Sequence, residues 1–359
     1  MSRSVLIVAG GTGGHVYPGL AVAAALRARD VDLHWMGTAR GIEARIVPAA
    51  GVPLVTIPVS GLRRRGWWRW LAAPFGVAWA VCCALAAIRR LRPQVVLGMG
   101  GFASGPGGIA AWLTRRPLII HEQNARPGLS NRILARFARR VLQGFPDSFP
   151  PAVHAITTGN PVRADIAAIA PPAERAQGHD APRVLVFGGS RGARALNEMV
   201  PAALAACGVG PLEVRHQCGA DDVAATGARY ARADNLASHE VLPYIDDMSA
   251  AYAWADLVIA RAGASSIAEI AACGVAAILV PYPYAVDDHQ TANARYLAGA
   301  DAALLMKESE LTVESLAREI GRLLGDRAAR VAMAERARAR ARPHATADVA
   351  AQCLEFIDA

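Results

Sequence analysis

The residues able to do chemistry fall into a few short clusters. Gly10-Gly-Thr-Gly-Gly-His15, Gly98-Met-Gly-Gly-Phe-Ala-Ser-Gly-Pro-Gly-Gly108 and Gly188-Gly-Ser-Arg-Gly192 each put a glycine turn between an apolar run and a helical pattern. A helix that starts after such a turn offers amide N–H groups and the positive end of its dipole to an anion, and glycine lets a phosphate approach the backbone. The first turn does not complete G-x-G-x-x-G, and no G-x-x-x-x-G-K-[ST] occurs, which argues against a nucleoside triphosphatase. Arg261-Ala-Gly-Ala-Ser-Ser-Ile-Ala-Glu269 has two readings. Either the amides of 264–267 hold a diphosphate while Glu269 takes a ribose diol, or Ser266-x-x-Glu269 is a capping box. The segment alone leaves both open.

Two further clusters are polar. Asp287-Asp-His-Gln-Thr-Ala-Asn293 follows Pro281-Tyr-Pro-Tyr284 and suits sugar hydroxyls, or else caps the next helix; His121-Glu-Gln-Asn124 follows an apolar run. An isolated histidine is more often structural than catalytic, so His15 and His121 each start from that position. No metal site is expected. Asp30-Val-Asp32 is a formal D-x-D but precedes a strand on the side away from the glycine turns, and the six cysteines show no ligand spacing. No Ser-His-Asp or Cys-His arrangement stands out.

These clusters need elements to carry them. The phrase at residues 5–14 returns at 184–192, about half a chain later, each time as an apolar strand, a glycine turn and a helix. Short apolar runs at 31–36, 53–57, 94–97 and 118–120 follow the first, and runs at 213–217, 237–241, 256–259 and 276–280 follow the second. Strands alternating with helical patterns mean βαβ units and parallel sheets, so the fold expected is α/β with two doubly wound halves. Gly159-Asn-Pro-Val-Arg163 reads as a hinge, residues 171–182 as a surface excursion, and the tail as an Arg/Ala-rich helix (327–342) and a last helix (347–357) around Pro343.

Charge divides with the halves. Residues 1–160 carry 19 Arg against 5 acids and residues 161–359 carry 19 bases against 25 acids, so one half is suited to something anionic. The 37 Arg against one Lys read as coding bias. With 53% hydrophobic and 19% charged residues the chain is neither disordered nor a coiled coil. Free cysteines fit a reducing compartment, and a strand opening at Ser4 leaves no space for a cleaved leader. Residues 70–88 carry no charge, enough for a membrane span by length, but alanine dominates and Pro74 and Gly76 interrupt. A helix partly buried and partly at an interface is expected. Before it, Arg63, Arg64 and Arg65 adjoin Trp67, Trp68 and Trp70, a pairing suited to lipid phosphate and the headgroup zone.

In order, Gly10–His15 with Pro18-Gly-Leu-Ala, Gly100-Gly-Phe-Ala-Ser-Gly-Pro106, His121–Asn124, Gly159–Arg163, Gly188-Gly-Ser190, Ile245-Asp-Asp-Met248, Arg261–Glu269 and Asp288-His-Gln290 resemble the bacterial MurG family. These are the undecaprenyl-diphospho-muramoylpentapeptide β-N-acetylglucosaminyltransferases of peptidoglycan synthesis. The resemblance implies a GT-B fold, two Rossmann-like domains facing a cleft. Residues 1–163 would form the acceptor and membrane-facing domain, 164–343 the UDP-N-acetylglucosamine domain, and 344–359 a helix returning to the first. It implies transfer of N-acetylglucosamine to the 4-hydroxyl of lipid I, with inversion and no metal or cofactor, on the cytoplasmic face of the plasma membrane. The partners would be the UDP-sugar, lipid I and an anionic membrane surface, with no nucleic acid.

By the same resemblance the donor contacts fall on Thr12, Gly13, Gly14, Asn124, Arg163, Ser190, Ile245, Ala264, Ser265, Ser266, Ile267, Ala268, Glu269 and Gln290. Tyr244 is placed to stack on the uracil, and His289 to help with the sugar. Inversion needs a base at the acceptor hydroxyl; His15 is the first candidate and Glu122 the second. Two departures stand out: Arg191 where many relatives carry Gln, and Phe102 where some carry Tyr. The alternative is another GT-B enzyme using UDP-N-acetylglucosamine, a 2-epimerase or a glycolipid synthase.

Overall fold

A strand buried on both faces has to be apolar at every position, not at every second one. β1 (Ser4–Val8) is such a strand: Val5 and Ile7 join one apolar cluster, Leu6 and Val8 another on the opposite face. In the computed structural model, residues 3–59, 67–175, 181–189 and 192–358 are described, 67–73 by their backbone alone. The chain divides into two units, Met1–Arg163 with Pro343–Ala359, and Ala164–Arg342.

The first unit is a parallel sheet of β1, β2 (Asp32–Gly37), β3 (Leu54–Thr56), β4 (Val95–Gly98), β5 (Leu118–Glu122), β6 (Arg140–Gln143) and β7 (Ile156–Thr157), in the order β3-β2-β1-β4-β5-β6-β7. The reversal of direction beside β1 makes it doubly wound. One face carries the helix Gly13–Arg27 and the last helix, Ala345–Ile357, whose Val349, Ala350, Cys353 and Ile357 share a core with Val5, Ile7 and Trp35. Two exposed ion pairs, Arg3–Asp358 at 2.9 Å and Arg140–Glu355 at 3.4 Å, lie along this return and add little to the apolar burial.

The other face carries the helices Trp67–Leu91 and Ser104–Leu113. The long helix buries Ala80, Ala84, Ala87 and Ile88, one stripe at helical spacing, and leaves Phe75, Val77 and Trp79 exposed. Its stretch Pro74–Leu91 is apolar and long enough to cross a membrane, yet its alanine stripe belongs to the core of this unit.

The second unit repeats the plan with β8 (Arg183–Phe187), β9 (Leu212–Gln217), β10 (Leu236–Leu242), β11 (Leu257–Ala260), β12 (Ala276–Leu279) and β13 (Leu304–Leu305), ordered β10-β9-β8-β11-β12-β13 and all parallel. Its core unites Val184, Val186, Leu196, Ile259, Ile278, Leu316 and Ile320.

Three strands escaped the sequence reading. β7 and β13 have two residues each, and β6 has only two apolar residues between Arg140 and Gln143, too little for a period. The helix expected from residue 109 begins at Ser104, inside the glycine cluster. Its glycines serve packing there. A Cβ on Gly107 would come within 2.8 Å of Val8, and one on Gly108 within 2.6 Å of Leu134. In the expected surface excursion, Pro172–Arg175 forms a single helical turn, and 176–180 lie outside the described residues.

Candidate functional site

In a parallel sheet, turns after the carboxyl ends of adjacent strands come together. β1, β4 and β5 are neighbours, so the loops after Val8, Gly98 and Glu122 adjoin. They touch through backbone: a Cβ on Gly101 would lie 1.9 Å from the Gly10 carbonyl, and Gly101 has φ of +81°. Only glycine meets both conditions. Ser104 ties the second turn down. Its buried Oγ accepts from the Gly100 amide at 2.9 Å and lies 2.8 Å from the Val8 carbonyl.

Thr12 caps the helix Gly13–Arg27 with an extended backbone, so Gly13, Gly14 and His15 form its first turn, with the His15 amide donating to the Thr12 carbonyl at 3.2 Å. His15 is half-buried, and its Nδ1 lies 2.9 Å from the Oε1 of buried Gln123. Arg163 sits with its guanidinium carbon 5.5 Å from the centre of the Tyr17 ring, on the same helix.

Glu122 differs from what its candidacy as a base requires. Its carboxylate is buried and accepts four hydrogen bonds, from Asn124 N and Nδ2 on Oε1, and from Gly128 N and Asn131 Nδ2 on Oε2, all at 2.9–3.1 Å. With every accepting direction taken, it shapes the loop that carries Asn124.

Glu43 was invisible as a site residue in the sequence. It is fully buried and accepts from the Gly11 amide at 3.0 Å and from the Thr38 amide and hydroxyl at 2.9 and 2.6 Å. Burial pushes its carboxyl up, but the hydrogen bonds from Thr38 and Gly11 outweigh that and leave it below the ordinary value. Glu43 therefore holds the Gly11 turn and occupies one amide otherwise open to a phosphate. The available signal was its rarity, one of five acids in the basic half.

In the second unit the turn after β8 has Gly189 at φ +95° and Gly192 at φ +72°; a Cβ on Gly192 would fall 1.8 Å from the Cys218 carbonyl. Ser190 and Arg191 lie outside the described residues. Behind this turn, His216 Nδ1 meets Tyr230 Oη at 2.9 Å and its Nε2 meets Asn197 Oδ1 at 3.1 Å. Asn197 Nδ2 donates to the Cys218 carbonyl and to Asp222. This buried network fixes the loop against which Gly192 packs.

The loop after β10 places Tyr244 half-buried and Ile245 buried, ahead of Asp247, whose carboxylate caps the helix Met248–Trp254 through the Ala250 amide. After β11, the helix Ala264–Cys273 begins directly behind Gly263, so Ala264, Ser265 and Ser266 form its first turn. This excludes the capping box: Ser266 is the third helical residue, not the cap, and Glu269 reaches elsewhere. Its Oε2 accepts from the hydroxyl of buried Tyr252 at 3.1 Å. Ile267 points into the core and Ala268 is half-buried on the same helix. Arg261 is also committed, donating to the Val280 and Pro281 carbonyls and pairing with Glu308.

After β12, Gln290 Oε1 accepts from the Tyr282 amide at 2.9 Å and His289 Nδ1 donates to the Val286 carbonyl at 2.7 Å. Asp287 and Asp288 both have φ of +52°, a left-handed pair that turns the chain into the helix His289–Ala298. Asp30 and Asp32 stand at the amino end of β2, away from every turn described here. Among the described residues, no three His, Cys, Asp or Glu side chains gather as metal ligands would.

Comparison with known proteins matches these halves one to one. The model of the glycosyltransferase family 28 N-terminal domain covers residues 5–143, and that of the C-terminal domain covers residues 183–350. A protein of Alkalilimnicola ehrlichii named UDP-N-acetylglucosamine–N-acetylmuramyl-(pentapeptide) pyrophosphoryl-undecaprenol N-acetylglucosamine transferase is 53% identical over 99% of both chains. One of the same name from Nitrosococcus oceani is 52% identical, again over 99% of both. The crystal structure of Acinetobacter baumannii MurG superposes with a TM-score of 0.83 at 41% identity, covering 98% of this chain and 99% of that one.

Proposed function

This chain belongs to glycosyltransferase family 28, and within it to the MurG family; from that premise we propose that it transfers N-acetylglucosamine from UDP-N-acetylglucosamine to the N-acetylmuramyl-(pentapeptide) pyrophosphoryl-undecaprenol acceptor, lipid I, forming lipid II. The observation that carries this reading is likeness over nearly the whole length to relatives named for this transfer. A 2-epimerase or a glycolipid synthase with another acceptor has no comparable support.

The chemistry follows from the groups present. The acceptor 4-hydroxyl attacks C1 of the sugar, the C1–O bond to the diphosphate breaks with its electron pair leaving on UDP, and C1 inverts. His15 takes the hydroxyl proton. Glu122, saturated by four donors, organises the loop that presents Asn124. The first-turn amides of Ala264–Ser266 stabilise the leaving diphosphate as a fixed dipole would, in the place of a metal, while Ile267 and Ala268 carry the helix on, the Ile267 amide donating to the Gly263 carbonyl. The resemblance assigns the Ser190 hydroxyl to the donor as well; in the first unit Arg163, beside Tyr17, supplies a positive charge. Ile245 offers backbone groups to the uracil edge and Tyr244 a ring face. Glu269, steadied by Tyr252, takes the ribose diol, while His289 and Gln290 serve the sugar hydroxyls. In the first unit, Thr12, Gly13 and Gly14 form a glycine turn of their own suited to an anion.

The first unit also supplies a surface for the acceptor's membrane. Exposed Phe75, Val77 and Trp79 lie on the long helix; Trp112 and Leu113, then Leu129 and Ile133, lie on the two helices that adjoin it in turn. Trp67, Trp68 and Trp70 continue the long helix toward its start, while Arg63, Arg64 and Arg65 lie outside the described residues. An apolar patch beside many arginines suits a peripheral protein on an anionic leaflet, here the cytoplasmic face of the bacterial plasma membrane.

Two measurements test this. Purified protein with UDP-N-acetylglucosamine should release UDP only when lipid I or a short-chain analogue is added, at the same rate in EDTA. Release without acceptor, or a strict metal requirement, would overturn the reading. Serine at Trp67, Trp68 and Trp70 together should weaken cosedimentation with anionic vesicles by about a hundredfold, taking roughly 1 kcal/mol for each lost aromatic contact. Unchanged cosedimentation would remove these residues from the anchor.

A further inference from the structure

Beneath the first glycine turn runs a line of hydrogen bonds with one self-consistent direction. Two carbonyl oxygens, which can only accept, close its inner end. The Gly159 carbonyl lies 2.9 Å from His121 Nε2, and the His121 carbonyl lies 3.3 Å from Gln123 Nε2. The first requires the His121 proton on Nε2. The second requires the nitrogen of the Gln123 amide, not its oxygen, on the inner side. That nitrogen then donates to His121 Nδ1 at 3.1 Å, the bare nitrogen of a neutral ring. Burial keeps the ring neutral, with its pKa pushed down to about 4. The Gln123 oxygen is left facing His15 Nδ1 at 2.9 Å, and an amide oxygen only accepts.

The line is rigid. His121 and Gln123 are fully buried, Asn131 Nδ2 donates to the His121 carbonyl, and Asn160 Nδ2 donates to the Gln123 carbonyl. Gly100 makes the space: a Cβ there would lie 2.6 Å from His15 Nδ1 and 3.2 Å from Gln123 Oε1.

We infer that Gln123 and His121 are positioning residues that hold His15 in its Nδ1–H tautomer, so that Nε2 carries the lone pair that takes the acceptor proton. This rests on the reading of His15 as the base. When the 4-hydroxyl oxygen bonds to C1 and the diphosphate leaves, the hydroxyl proton passes to Nε2. The resulting imidazolium keeps donating from Nδ1 to the Gln123 oxygen, and no proton moves along the line. A neutral amide orients the ring without the charge of a carboxylate, which would favour the protonated ring and blunt the base.

The test uses the full chain labelled with 15N-histidine, the His15 signals being identified by their loss in His15→Gln. At alkaline pH His15 should show the shifts of a ring protonated on Nδ1. In Gln123→Leu it should show a mixture of tautomers, and kcat should fall about tenfold or more with donor KM unchanged, since only the general-base share of the rate is touched. A wild-type His15 protonated on Nε2 would overturn the inference, as would a Gln123→Leu variant that keeps both the tautomer and kcat. Should Gln123→Leu fail to fold, the wild-type spectrum alone decides. Undiminished turnover in His15→Ala would instead unseat the base, a failure that the tautomer measurement keeps separate.

Discussion

Replacing His15 by alanine is expected to lower kcat by about 10²–10⁴-fold, the usual share of a positioned general base, while donor KM stays nearly unchanged. The expectation rests on where the side chain stands. His15 is in the first helical turn behind the Gly11 bend, held at Nδ1 by a buried glutamine. Glu122, the other candidate, has its four accepting directions filled, so it cannot take over the proton without dismantling its loop. Steady-state kinetics with a soluble lipid I analogue, kcat and donor KM measured separately, checks this. Near-normal kcat would remove His15 as the base. A rise in donor KM with kcat unchanged would make it a donor contact instead.

Acid should destabilise both units well before most carboxylates titrate. His121 in the first unit and His216 in the second are buried and neutral, with pKa values pushed by burial down to about 4 and about 3. Both folded values lie below the unfolded value of 6.5. Above pH 6.5 neither state is protonated at these rings and they contribute no pH dependence. Below it the unfolded chain binds protons that the folded chain refuses, so stability falls as pH drops toward the folded values. At 1.36 kcal/mol per pKa unit the full losses are about 3 kcal/mol for His121 and about 5 kcal/mol for His216. Thermal unfolding should therefore show Tm falling steadily from pH 6.5 to 4.5, and His216→Gln should flatten the part due to the second unit. A Tm independent of pH over that range would contradict the buried neutral rings.

The strands were the most legible part of this protein. A parallel strand covered on both faces is written as an unbroken apolar run, and every run that was read became a strand in the sheet expected. The short strands β6, β7 and β13 were not legible, because two apolar residues make no period. At the site, the glycine turns could be read because positive φ and close backbone approach demand glycine, as Gly101 and Gly192 illustrate. The role of Glu269 could not, because Ser266-x-x-Glu269 has the spacing of a cap. Only the observed helix start at Ala264 removes that reading.

The sequence by itself therefore determined two doubly wound halves, glycine turns at the strand ends and a basic amino-terminal half, since each follows from local pattern and composition. The tertiary structure decided which polar groups meet. His15 and Gln123 are 108 positions apart and meet because β1, β4 and β5 are neighbours in the sheet; Glu43 reaches Gly11 from a separate helix. Strand order is fixed by how apolar faces pack over the entire unit. The partners of a buried carboxylate or imidazole are a consequence of that order, and local spacing carries no record of it.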